Sequence, residues 1–235
     1  MSGALVLDQL IAGYGKVRIL QGVDLEIGDD RVRAILGPNG SGKSTLLKTM
    51  MGLTRIHGGD MRWGEVDLLK VPVHKRVAAG FGYVPQNDNV FPGLSVDANL
   101  RMGGFLLPRA EVRSERERVI ELFPQLRERL GTQGASLSGG ERRLLSMAMT
   151  LMARPRVLLL DEPTSDLAPA AIDVVFECIA AIRREYRVPI VLVEQNVPRA
   201  LNIADHVTVL VAGTCRMDKR PDEIEHGELE RLFLG

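Results

Sequence analysis

Apolar residues recur along this chain in two rhythms, and the change from one to the other divides it. Residues 4–27 place Val, Leu and Ile in short strand-like runs punctuated by Gly13, Gly15, Gly22 and Gly28, which predicts a β-rich start. Residues 31–36 form a further strand that runs into GPNGSGKST, with a helix expected through about Met51. A short β element around residues 59–63, a helix at residues 73–79 and a strand at Phe81–Val84 come next. Residues 86–153 are polar and helical; within them residues 110–122 set apolar positions at helical spacing among mixed charges, and Pro124 ends that helix. The apolar runs at residues 157–160, Ile190–Val193 and His206–Val211 return to β, separated by helices near residues 169–184 and 198–204.

Strands alternating with helices predict an α/β sheet, with an N-terminal β region before it and the helical block inserted between strands. The expected organisation is a single domain over residues 1–235, with residues 1–86 and 154–235 as a catalytic core and 87–153 as a helical subdomain. No internal repeat and no low-complexity linker interrupts it.

Three local patterns carry chemistry. Gly37-Pro38-Asn39-Gly40-Ser41-Gly42-Lys43-Ser44, followed by Thr45, fits G-x-x-x-x-G-K-[ST] between a strand and a helix. In such a loop glycines let backbone N–H groups wrap phosphates, the lysine reaches the outer phosphates, and the serine hydroxyl suits magnesium. The unbroken run Val157-Leu158-Leu159-Leu160 suits a buried parallel strand and delivers Asp161 and Glu162 at its carboxyl end, where open α/β sheets bind ligands. Asp161 is placed to act on magnesium, and Glu162, one residue on, to take a proton from or orient an attacking water. Leu137-Ser138-Gly139-Gly140-Glu141 opens a helix with Ser138 as N-cap and Glu141 at the capping-box position, an end that attracts anions.

Composition narrows the partners. Thirty basic and thirty acidic residues balance in a chain of 235, so no global field draws nucleic acid or an anionic membrane surface, and no nucleic-acid partner is expected. Hydrophobic residues make up 45%, enough for a large core. The two cysteines, Cys178 and Cys215, have neither the spacing of a zinc site nor a disulfide framework, and reduced thiols are expected. The four histidines read as surface or packing residues, and Met147, Met149 and Met152 as helix packing. No apolar stretch approaches the ~18 residues that span a bilayer, and the first residues lack a signal-peptide core.

Taken in order, GPNGSGKST, Gln86 after a strand, LSGGE, VLLLDEP and a polar residue after PIVLVE resemble the ATP-binding-cassette (ABC) ATPases along essentially the whole chain. LSGGE is similar to the family signature LSGGQ. NLRMGGF, the segment from SGGERR to LAP, and LVEQN resemble more narrowly the ATPase subunits of importers for branched-chain amino acids, amides and urea. The resemblance implies a P-loop NTPase fold of the ABC nucleotide-binding type, with an N-terminal antiparallel β region and an inserted helical subdomain. It implies ATP and Mg2+ as cofactors. It assigns Tyr14 to the adenine, Gly37 to Thr45 to the phosphates, and Ser44, Gln86 and Asp161 to magnesium. Glu162 becomes the general base and Gln195 the contact to the γ-phosphate, while Leu137 to Glu141 complete the site of a second copy. Most of the family has histidine where Gln195 stands, and an amide can donate a hydrogen bond there but cannot become cationic. Many relatives have aspartate where this chain has Ala168; Asp166 either substitutes for it or is a residue of the helix approach before Pro169, and the second reading has the edge.

The function implied is ATP hydrolysis powering import through a separate permease. The partners are a second ATPase subunit, identical or related, integral membrane permease subunits and a solute-binding protein, with the chain peripheral at the cytoplasmic face. Val90, Phe91 and Leu94 either meet the permease or pack internally. Two rivals are a soluble ABC ATPase outside transport, which predicts tandem cassettes or a basic extension, and a non-hydrolysing regulatory module, which the intact Lys43, Asp161 and Glu162 oppose.

Overall fold

The computed structural model describes residues 3–28, 31–87 and 89–234. In chain order its elements are β1 (Leu5–Tyr14), β2 (Val17–Ile27), β3 (Val32–Leu36), α1 (Lys43–Met50), β4 (Arg55–Trp63), β5 (Val66–Asp67), β6 (Phe81–Val84), α2 (Val96–Gly103), α3 (Val112–Leu122) and α4 (Pro124–Arg127). Then come α5 (Gly139–Leu151), β7 (Val157–Asp161), α6 (Pro169–Tyr186), β8 (Ile190–Val193), α7 (Val197–Ile203), β9 (His206–Val211), β10 (Thr214–Lys219) and α8 (Glu228–Leu234). They pack as two compact units, residues 1–76 with 187–235 and residues 77–186.

The first unit holds an antiparallel sheet in the order β2-β1-β4-β5, with irregularities in β1 around Gln9, whose backbone is left-handed at φ 46°. It also holds β3, paired in parallel with β8 on one side and β9 on the other, with β10 antiparallel beside β9. Every residue of β3 is buried, as a strand covered on both faces requires. Arg33 is the polar member of that strand; its guanidinium donates to Thr208 Oγ1 at 2.9 Å and Glu26 O at 2.7 Å and pairs with Asp218, so the buried charge is compensated. Val197 and Leu201 of α7 and Leu229, Leu232 and Phe233 of α8 cover the core formed by Ala34, Leu36, Val207, Val209 and Met217.

In the second unit β6 and β7 pair in parallel from Phe81↔Val157 to Val84↔Leu160. α5 packs on β6 and α2, burying Leu144, Leu145, Met147, Ala148 and Leu151. Met147, Met149 and Met152 are all core residues. Asn99, fully buried on α2, staples the loop that leaves β6: its Oδ1 accepts from Phe91 N at 2.7 Å, and its amide nitrogen lies 3.0–3.2 Å from the carbonyls of Phe91, Leu94 and Ser95. On α3, buried Glu115 receives Arg154 Nε at 2.6 Å and Tyr186 Oη at 3.4 Å, joining α3 to the turn before β7 and the end of α6.

Three sequence expectations need correction. Residues 73–79 do not form a helix: a single 3-10 turn at Val73–Lys75 gives way to turns ending at Gly80, and because Arg76 is the one fully buried residue of 73–79, the segment lacks the packed apolar face from which short helices draw their stability. Pro124 starts a new helical turn, α4, at the position where a missing N–H costs nothing, as well as following the end of α3. The short β element around residues 59–63 is the end of a longer strand, β4. β10 and α8 were not anticipated.

Asn99→Ala removes one acceptor and the donors to three carbonyls in a buried setting and should destabilise the fold by about 2–3 kcal/mol. Urea denaturation followed by tryptophan fluorescence and circular dichroism checks this; an unchanged midpoint would show that the loop does not depend on the staple.

Candidate functional site

The loop between β3 and α1 is shaped by close approach. Gly37 lies at φ 144°, and a Cβ there would fall 2.0 Å from Leu210 O, so no other residue fits. The turn joining β9 to β10 grips the loop from outside: Gly213 N donates to Ser41 O at 2.9 Å, and Gly213 sits so close to β2 that a Cβ would lie 1.8 Å from Ile19 O. α1 begins at Lys43 behind Gly42 with no side-chain cap, and a helix start of that kind suits an anion. Lys43 is buried, and its ammonium donates to Gly37 O at 2.9 Å and Pro38 O at 3.0 Å, across the loop it follows. Ser41 Oγ is buried without a hydrogen-bond partner, a polar atom that suits an oxygen-rich guest. Thr45 is buried, Ser44 partly so, and Asn39 and Gly40 are exposed at the tip.

At the end of β7 Asp161 and Glu162 are both buried, at 1% and 6% exposure. Tyr83 Oη on β6 donates to Asp161 Oδ2 at 3.0 Å, and Gln86 Nε2, just beyond β6, donates to Glu162 Oε2 at 3.0 Å. The parallel pairing of β6 with β7 brings these four side chains to one edge. Glu162 has φ 48°, a left-handed backbone that costs a non-glycine residue of the order of 1 kcal/mol or more. That left-handed step ends the extended run at Asp161, so Glu162 does not follow the strand's alternation of faces. Ser165 N closes the turn onto Glu162 O at 3.1 Å, and Asp166 is left-handed in turn at φ 60°.

The N-terminus of α5 carries the full capping box expected. Glu141 N donates to Ser138 Oγ at 3.3 Å and Ser138 N to Glu141 Oε2 at 2.8 Å. Arg129 Nε reaches Glu141 Oε1 at 3.1 Å. The Ser138 N–H, then its hydroxyl, then the Arg129 charge hold the Glu141 carboxyl below its ordinary range. Its contribution to stability is therefore complete at neutral pH and is lost only as the pH falls through that lowered value. Ser138 is exposed, Gly139 and Gly140 are half-buried and Leu137 is buried, so an exposed cap stands on an anchored base.

Tyr14 ends β1 with 46% exposure. Gln195 is exposed after β8, and its N–H together with that of Asn196 donates to Glu194 Oε2 at 3.0 and 3.2 Å. Glu194, buried at 2%, is a residue that sequence reasoning passed over, as it did Tyr83, Arg143 and Gly213. A carboxylate inside the apolar run PIVLVE was the available signal for Glu194; for Gly213 there was none beyond a glycine in a turn.

With this geometry in hand, comparison with known proteins is decisive for the family. Residues 20–165 match the family model described as ABC transporter. The chain is 40% identical over 228 residues to a probable branched-chain amino acid transport ATP-binding protein, LivF, of Archaeoglobus fulgidus, covering 97% of each. It is 38% identical to the high-affinity branched-chain amino acid transport ATP-binding protein BraG of Pseudomonas aeruginosa, over 98% of this chain and 99% of that one. Among solved structures, the ADP conformation of MJ1267, an ATP-binding cassette of an ABC transporter, superposes with a TM-score of 0.86 at 21% identity over 100% of both chains. The fold, the loop, the capped helix and these relatives agree: the chain belongs to the ABC transporter ATPases.

Proposed function

We propose that this ATPase powers the import of a small solute, branched-chain amino acids foremost with amides and urea as the neighbouring class, through a separate membrane permease. The names of LivF and BraG support the substrate class, because both align over nearly the whole of this chain. The observation that carries the hydrolytic reading is the 3.0 Å hydrogen bond from Gln86 to a buried Glu162 whose backbone is held left-handed.

The roles follow from the chemistry of each group. Lys43 and the N–H groups from Gly37 to Thr45 bind the β and γ phosphates, with Pro38, Asn39 and Gly40 forming the turn, Gly42 opening α1 and Ser41 adding its hydroxyl. Tyr14 stacks on the adenine. Ser44, Gln86 and Asp161 offer the hard oxygen donors that magnesium takes, and Tyr83 orients the Asp161 carboxylate. When bound, the metal neutralises phosphate charge. Glu162 accepts the proton of the attacking water, and Gln195 donates to the γ-phosphate through a neutral amide, a contact indifferent to pH near neutrality.

Leu137 to Glu141 serve the ATP held by a second copy, or by a related subunit, whose γ-phosphate meets the partial positive charge at the start of α5. ATP thus favours the closed dimer and ADP releases it. The chain works peripherally at the cytoplasmic membrane face with permease subunits and a solute-binding protein; among its described residues no helix is long and apolar enough to cross a membrane. Phe91 and Leu94, 44% and 38% exposed on a loop whose backbone Asn99 pins, are the proposed contacts for the permease.

Glu162→Gln should lower phosphate release by about 10²–10⁴-fold while ATP binding persists, and light scattering should then find an ATP-bound dimer. A monomer under saturating ATP would count against the reading. Because the backbone at Glu162 is left-handed, Glu162→Gly should be more stable than Glu162→Ala by about 1 kcal/mol in thermal or chemical unfolding, both being inactive. Equal stability would show that the strain is absent.

A further inference from the structure

The core-facing side of α5 is apolar except for Arg143, Ser146 and Thr150, which helical spacing sets on one face. All three reach the segment running from β6 to Asn89. Thr150 Oγ1 lies 3.5 Å from Tyr83 O, Arg143 Nη1 donates to Pro85 O at 2.8 Å and Nη2 to Gln86 O at 2.5 Å, and Ser146 Oγ donates to Asn89 Oδ1. Arg143 is 4% exposed, and a guanidinium withdrawn from water that far is costly unless its geometry is well matched. A planar fork across two successive carbonyls is such a match, one that the point charge of lysine cannot reproduce.

The position of this fork gives it a role beyond packing. Gln86, whose carbonyl Arg143 holds, is the residue whose amide meets Glu162, while little more than one helical turn before Arg143 stands Ser138. We propose that Arg143, seconded by Ser146, is a positioning residue: it fixes the main chain at Pro85 and Gln86 so that the Gln86 amide addresses Glu162. It also makes the loop bearing Phe91 move together with the helix that presents Ser138. The assignment rests on the ATPase reading above and adds to it the route by which a permease pressing on Phe91 reaches both the water-activating carboxylate and the capped helix end.

A double-mutant cycle in phosphate release tests it. Arg143→Lys keeps the charge and loses the fork, and should lower kcat about tenfold with KM for ATP within twofold, since misplacement by 1 Å costs up to ~10²-fold. In a Gln86→Ala background the same change should cost nothing further, because the group it positions is gone. Hydrogen exchange in the nucleotide-free protein gives an activity-independent reading: amides of residues 86–95 should exchange faster in Arg143→Lys, while those of α3 stay as in the parent. Should Arg143→Lys fail to fold, Ser146→Ala leaves no buried charge behind and should give a loss of two- to threefold, by the same logic of a looser loop, that also vanishes with Gln86→Ala. Additive losses, a raised KM with kcat kept, or unchanged loop exchange would overturn the tether. A wild-type chain that releases no phosphate would instead overturn the ATPase reading, and the exchange comparison would still decide the tether.

Discussion

The chemistry proposed for the second unit depends on a single left-handed residue. Glu162 sits at φ 48°, and without that reversal a carboxylate one step past Asp161 would leave by the opposite face of the strand. The fold holds it there from several sides: β7 is wholly buried, Ser165 N closes the following turn onto Glu162 O, and Gln86 donates to its carboxylate. Each contact is modest in energy. Together they make the strained arrangement the stable one, as expected where geometry serves a reaction.

The same economy applies to the two anion-seeking helix ends. α1 has no side-chain cap and keeps a buried ammonium over its own loop, so its first turn is prepared for phosphate. α5 is capped in full by the Ser138 hydroxyl, yet the box includes the Glu141 carboxylate, which on its own would repel phosphate. Arg129 and the Ser138 N–H offset that charge. The consequence is a helix start that is rigid, close to neutral and still rich in glycine N–H groups, well suited to a γ-phosphate that arrives already bound elsewhere.

Much of this was legible in the sequence because it depends on local rules. The apolar run ending in Asp161 and Glu162, the strand–loop–helix order around Lys43, and the serine and glutamate of the capping box each follow from spacing alone. The elements that escaped depend on tertiary context. Residues 73–79 have helical pattern but bury no apolar face that would hold them, whereas β10 is half exposed and gains its place by pairing with β9. Arg143 reads as one more charge on a charged helix start until β6 is seen lying against it. The stripe Arg143, Ser146, Thr150 is nevertheless a readable sign: polar residues at helical spacing inside an apolar face are expensive and have a reason to be there.

In the proposed dimer the carboxylates of β7 and the capped start of α5, near one another in sequence, serve different ATP molecules. Mixed dimers test this most directly, with Ser138→Arg in one chain and Lys43→Ala in its partner. Both lesions should fall on one site and leave the other intact, so the mixed dimer should hydrolyse ATP well above either doubly lesioned homodimer. Hydrolysis no greater than in those homodimers would contradict the account.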